Sequence, residues 1–194
     1  MIIGIGAFML VWWNLDDIFR ITPRTEELMT GKMVVLYIGI AKLVDTVMGI
    51  NGPIIYYSKY FRWSFLFILI MGILTVTTNL YFIPKIGFVG AAIATMISLV
   101  IFNLLKFIFI WWVFKIQPFD IKTFQALFIA GIGSLVLYYW PSFNIPLFDI
   151  VLRSTAILLL FGLPIYYFRV SPDINRETDR ILNLILRWTG LRKK

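Results

Sequence analysis

Of the 194 residues, 60% are hydrophobic, 18% aromatic and only 14% charged, whereas a soluble domain is roughly 45–50% apolar and about 25% charged; with a mean hydropathy of +0.88, a water-soluble globular domain is excluded. Cys and His are both absent, which removes disulfides, thiolate nucleophiles, haem ligation, His-ligated zinc and imidazole acid/base chemistry. No carboxylates cluster to make a metal site, no cofactor motif stands out, and the net charge of +8 fits basic loops and a basic tail better than nucleic acid, because no basic and aromatic face stands on a soluble domain.

A hydrocarbon core about 30 Å thick needs about 20 apolar residues of helix. In chain order, Met1–Trp13 is apolar but too short to span unaided, and without a basic n-region or a small-residue cleavage site it makes a poor signal peptide. It reads as the remaining half of a span. Asn14–Gly31 reads as an external connector in which Asp16 and Arg20, spaced i,i+4, pair on a short interfacial helix. Full spans are expected at 32–57, 63–84, 88–114, 123–140 and 147–168. Ser171-Pro172-Asp173 then opens a helix with a hydroxyl N-cap, proline at the first position and an acid in the first turn. Ile174, Ile181, Leu184, Ile185 and Trp188 share one face of it, opposite Arg176, Glu177, Arg180, Asn183 and Arg187, so it is expected to lie on the membrane surface against anionic lipids. The expected fold is an all-α integral membrane protein: a bundle of about six transmembrane helices, the first truncated, plus a C-terminal interfacial amphipathic helix.

Orientation follows from the basic residues between spans. Eleven collect on one side (Lys59, Arg62, Lys115, Lys122, Arg169, Arg176, Arg180, Arg187, Arg192, Lys193 and Lys194) and five on the other (Arg20, Arg24, Lys32, Lys85 and Arg153). The C-terminus is therefore expected in the cytoplasm.

Charges inside a span cost at least ~2.5–3.5 kcal/mol each on insertion scales and usually face a bundle interior or a water-filled cavity. Lys42 and Asp45, at i and i+3, are about 15–20 Å from the outer end at 1.5 Å per residue. Two readings stay open: a mutual ion pair that neutralises itself, or a cavity-lining pair that meets a charged substrate or coupling ion. Lys106 lies further along its span beside Trp111-Trp112 and is expected to snorkel to the cytoplasm. Gly49-Ile50-Asn51-Gly52-Pro53 predicts a kink or a local loss of helical hydrogen bonds, either passive or bordering a pathway, with Asn51 as a pathway candidate. Gly90, Ala94 and Ser98 form a small-residue stripe suited to close helix packing. Asn79 and Asn103 are expected to bond across helices or to headgroups.

Asn79-LYFIPKIGFVGAAIATMISLVIF-Asn103-LL-Lys106, with its Ile-Pro-Lys-x-Gly followed by Gly-Ala-Ala-Ile-Ala-Thr, resembles the carboxy-terminal half of the oligosaccharide flippases of the polysaccharide biosynthesis family. That superfamily also holds the lipid II flippases and the multidrug and toxin extrusion pumps. The resemblance covers nearly the whole chain, flanks included. It implies that residues 1–114 correspond to the last four helices of a second lobe, 115–170 to an extra helix pair and 171–194 to a cytoplasmic helix and tail, with an N-terminal lobe missing. It also implies a multi-pass protein of the bacterial cytoplasmic membrane that flips undecaprenyl-diphosphate-linked oligosaccharide for O-antigen, capsule or exopolysaccharide by alternating access. Lys42 would meet the diphosphate and Asp45 would be its partner or a site for a coupling cation or proton. A drug/cation antiporter of the same superfamily is the alternative. A membrane-embedded glycosyl- or acyltransferase would need a polar catalytic loop that the sequence lacks, and no enzyme activity is expected.

Overall fold

The computed structural model describes residues 1–23, 25–116, 121–143 and 145–188, and these are all helix and connector, with no strand among them. The helices are α1 (Ile2–Ile21), α2 (Thr25–Thr30), α3 (Lys32–Val47), α4 (Asn51–Tyr56), α5 (Phe61–Ile86), α6 (Phe88–Phe114), α7 (Ile121–Tyr138), α8 (Pro146–Ile157), α9 (Leu163–Tyr167) and α10 (Pro172–Trp188); α8 and α9 are joined by a wider π turn over Leu158–Gly162. Among the described residues, five helical stretches are long and apolar enough to cross a membrane: α1, α5, α6, α7 and the continuous α8–α9 segment. Their exterior suits hydrocarbon. On α5, Phe65, Ile68, Ile73, Val76 and Leu80 all face outward, an apolar surface that no soluble monomer would leave in water.

Two bundles sit side by side. In the first, α1 packs against α7 and α8–α9 around Ile5, Met9, Ala126, Ala130, Ile157 and Phe161. The second holds α3, α4, α5 and α6, with Ile55, Phe67 and Ile110 at its apolar centre. Aromatic edges close one end of it, where Tyr60, Trp63 and Phe67 meet Phe109. Contact between α1 and α3 joins the two bundles.

The α5–α6 hairpin follows from its sequence. A single residue, Gly87, separates the two helices, at φ 65° and ψ −142°, a combination open to glycine and strained for any residue with a Cβ. The stripe Gly90, Ala94, Ser98 then lies along the contact with α5. A Cβ on Gly90 would collide with the Phe82 carbonyl, Ala94 and Ser98 are completely buried, and the Thr78 and Ser98 hydroxyls are 3.0 Å apart.

Three expectations are corrected. The first helix is not the half-span Met1–Trp13: it runs 20 residues, to Ile21. Its polar residues do not break it because their partners lie on α8, far away in sequence. Asp17 is 1% exposed and pairs with Arg153 at 2.6 Å, and Asn14 donates to Ser154 at 3.1 Å. Nor does Asp16 pair with Arg20. Asp16 takes Lys32 at 2.7 Å, while Arg20 reaches Asp17 at 3.4 Å, since three residues bring two side chains nearly as close as four on a helix. Finally, 32–57 is not one helix. The chain leaves α3 at Met48 and re-enters helix at Asn51, so that Pro53 falls in the first turn of α4, where its missing N–H has no intrahelical partner to lose.

At the far end, Ser171 caps α10: its Oγ accepts from the Ile174 N–H at 3.5 Å and its carbonyl from the Asn175 N–H at 3.0 Å. Residues 189–194, with the basic Arg192-Lys193-Lys194, lie outside the described residues, as do Arg24 and the side chains of Asp173 and 182–188, including Asn183, Leu184, Ile185, Arg187 and Trp188.

Candidate functional site

The polar interior of the second bundle is built from three elements. Helix α3 supplies Asp45, half-buried and turned toward α6, where Asn103 donates to its Oδ1 at 3.2 Å. The same Asn103 amide also donates to the Leu99 carbonyl at 3.0 Å, while its Oδ1 is buried without a donor. One turn on, Lys106 is 8% exposed, its ammonium 4.1 Å from the centre of the Phe102 ring and within the electrostatic reach of Asp45. The two are not in direct contact. From α4, Asn51 is fully buried and neither its Oδ1 nor its Nδ2 has a hydrogen-bond partner. A cavity of about 340 Å³ opens beside it, bounded by Gly52, Pro53 and Tyr56 on α4, Ser64 and Phe67 on α5, and Phe102 and Lys106 on α6. The helix break thus brings the start of α4 up against the charged stretch of α6.

Lys106 therefore does not snorkel, as its place along the span suggested. Phe102 lies one turn before it on the same face and leads it inward, and the ring with the Asp45 charge offsets part of the desolvation of the ammonium. Lys42 and Asp45 are parted. Lys42 is exposed in a groove of about 400 Å³ between α1 and α3, beside Phe8, Gly39 and Thr46, with no ion pair among the described residues. Of the sequence candidates, the structure brings Asp45 and Asn103 into contact and sets Gly52 and Pro53 on the wall of the cavity that Lys106 also lines, with Asn51 immediately before them in the chain. Gly49 sits in the middle of the interruption with its Cβ direction close to the Asp45 carbonyl. Asn79 bonds back to Thr75 of its own helix at 2.7 Å.

Sequence reasoning missed the Asp17–Arg153 pair. Arg153 lies several residues inside the apolar run 147–168, and a charge so placed calls for a partner; that was the available signal. Its guanidinium also donates to the Trp13 carbonyl at 3.2 Å. This cluster is saturated by contacts between helices, apart from Asn14 Oδ1 and Arg153 Nε.

Chemically, a carboxylate and buried amide oxygens can hold a monovalent cation or a proton, and a desolvated ammonium can meet an anion. Among the described residues no three His, Cys, Asp or Glu side chains come together. No protein-family model, curated protein or solved structure matches the chain.

Proposed function

We propose that this chain is part of a membrane transporter whose polar pathway passes the Asp45–Asn51–Asn103–Lys106 interior, and that it has no catalytic role. The observation that carries the reading is Asn51. A buried amide left wholly unsatisfied costs about 1–3 kcal/mol, and it stands at a helix break, beside a cavity shared with a buried cation; broken backbone inside an apolar bundle is tolerated where it lines protein or water.

With the resemblance of the Ile-Pro-Lys-x-Gly hairpin, the cargo we propose is undecaprenyl-diphosphate-linked oligosaccharide, flipped from the inner to the outer leaflet of the bacterial cytoplasmic membrane by alternating access together with an N-terminal lobe. Lys106 takes from Lys42 the role of the interior cation facing the diphosphate. Asp45, held by Asn103, takes the coupling cation or proton. The basic-residue count supports a cytoplasmic C-terminus.

The test is export of surface polysaccharide in cells that depend on the protein. Asn51→Leu and Lys106→Met should each abolish export at normal protein abundance, and Asp45→Asn should shift its dependence on the ion gradient. Normal export in Asn51→Leu would end this reading, and a change in drug accumulation in place of export would favour the antiporter.

A further inference from the structure

A second site lies in the first bundle, at the end where α7 begins and α9 passes into α10. A polar pocket of about 710 Å³ is walled by Lys122, Tyr166, Arg169, Asn175, Arg176 and Asp179. Its three cations face one carboxylate, and that carboxylate is already engaged by the Tyr166 hydroxyl at 2.5 Å. Among the described residues none of the three cations is paired with an acid. Arg169 adopts φ 49°, a left-handed conformation that costs roughly 1–2 kcal/mol where glycine would sit freely. Asn175 donates to the Tyr166 carbonyl at 2.9 Å, and its Oδ1 stands in the wall without a donor.

An apolar groove begins at neighbouring residues of the same elements. Gln125, one turn along α7 from Lys122, and Phe168, immediately before Arg169, line about 420 Å³ together with Phe128, Ile132, Leu160 and Pro164. Leu160 in its wall lies in the π turn Leu158–Gly162, and Pro164 stands two residues beyond that turn. Such bulges displace side chains from the regular helix path and are frequent at functional sites. A cationic pocket with an apolar groove beginning at the adjoining residues of α7 and α9 matches one kind of molecule: an amphiphile with an anionic head and a hydrocarbon tail.

We propose that these two pockets form a single binding site for an anionic phospholipid, its phosphate held by Lys122, Arg169 and Arg176, a headgroup hydroxyl accepted by Asn175, and one acyl chain lying in the Phe128–Ile132–Pro164 groove. The proposal rests on membrane insertion alone and stands or falls separately from the transport reading. The site would lock α10 to the bundle at a fixed place, which a generally basic helix face would not do.

The test is lipid retention by the intact chain, purified in detergent, mixed with micelles of phosphatidylglycerol and phosphatidylcholine and read by native mass spectrometry. The wild type should retain one phosphatidylglycerol in preference to phosphatidylcholine. Because a basic residue near a membrane surface contributes about 1 kcal/mol toward an anionic lipid, Arg169→Ser/Arg176→Ser should weaken retention roughly thirtyfold, whereas Lys59→Ser/Arg62→Ser, at the same end of the protein but outside the pocket, should change it less than about twofold. Ile132→Trp, which fills the groove without touching a charge, should also displace the lipid. Equal losses from both basic pairs would reduce the effect to general surface charge and overturn the site. So would unchanged retention in Ile132→Trp, or displacement of the lipid by inorganic phosphate at matching concentration, which would mark a soluble-anion pocket.

Discussion

The two bundles place charge inside an apolar interior in opposite ways. In the first, Asp17 and Arg153 meet at 2.6 Å across α1 and α8, with Asn14 bonded to Ser154 beside them. In the second, Asp45 and Lys106 share a space without touching, and Asn51 is buried with nothing to bond. A directly paired charge fixes the mutual position of two helices. An unpaired one holds free energy in reserve for whatever arrives. The difference separates a fastening from a site although both use the same residue types.

Single substitutions can break or sharpen the contrast. The largest effect is expected from Arg153→Met, which leaves the buried Asp17 only the longer contact to Arg20 and should cost about 3 kcal/mol; in thermal unfolding of the purified protein it should melt far below wild type, and adding Asp17→Leu should recover most of the loss. Lys106→Met, formally the same change, should leave the melting temperature at or above wild type, because no ion pair is broken and the lost contact with the Phe102 ring is offset by removing a buried charge. A large loss there would show that Lys106 is a fastening too.

Next come the small residues at the helix contacts. A Cβ at Gly90 meets fixed backbone at Phe82, but one at Gly133 meets the Met9 terminal methyl at 3.3 Å, and a flexible thioether can turn aside. Gly90→Ala should therefore destabilise by about 1–3 kcal/mol, visible as reduced folded protein on size-exclusion chromatography, while Gly133→Ala should be nearly silent.

Smaller still is the amide pair. Asn51→Leu removes an unsatisfied group and should raise stability by about 1 kcal/mol, whereas Asn14→Leu gives up a bond between helices and should lower it by about as much. Chemical denaturation in micelles would resolve the opposite signs. The weakest change is Ser98→Ala, at about 0.6 kcal/mol for one hydroxyl contact between helices.

Much of this was legible in the sequence, and the misses share a cause. Apolar length gave α5, α6, α7 and the α8–α9 segment to within a few residues, because hydrophobic runs and the Gly87 turn are local signals. The polar stretch Asn14–Arg20 was read as a connector since local reasoning sees four polar side chains, while the structure sees Arg153 and Ser154, 136 and 140 positions away. Lys106 was given to the interface from its depth; its face, set by Phe102, decides instead. Lys42 and Asp45 are sequence neighbours on one helix, yet α1 claims one side and α6 the other. Spacing places side chains on a helix and does not say which helix will stand opposite.

Gly87 has a mechanical consequence. With one residue between them and a contact too close for a Cβ at Gly90, α5 and α6 behave as a single stiff lever, and nothing in the hairpin can absorb a change of angle. The interruption from Met48 to Ile50 lies between α3, which packs along α6, and the short α4, which touches both α5 and α6. Asp45 lies one turn before that interruption and Lys106 lines the cavity that begins just after it, so a change of angle there would alter the separation of the two charges.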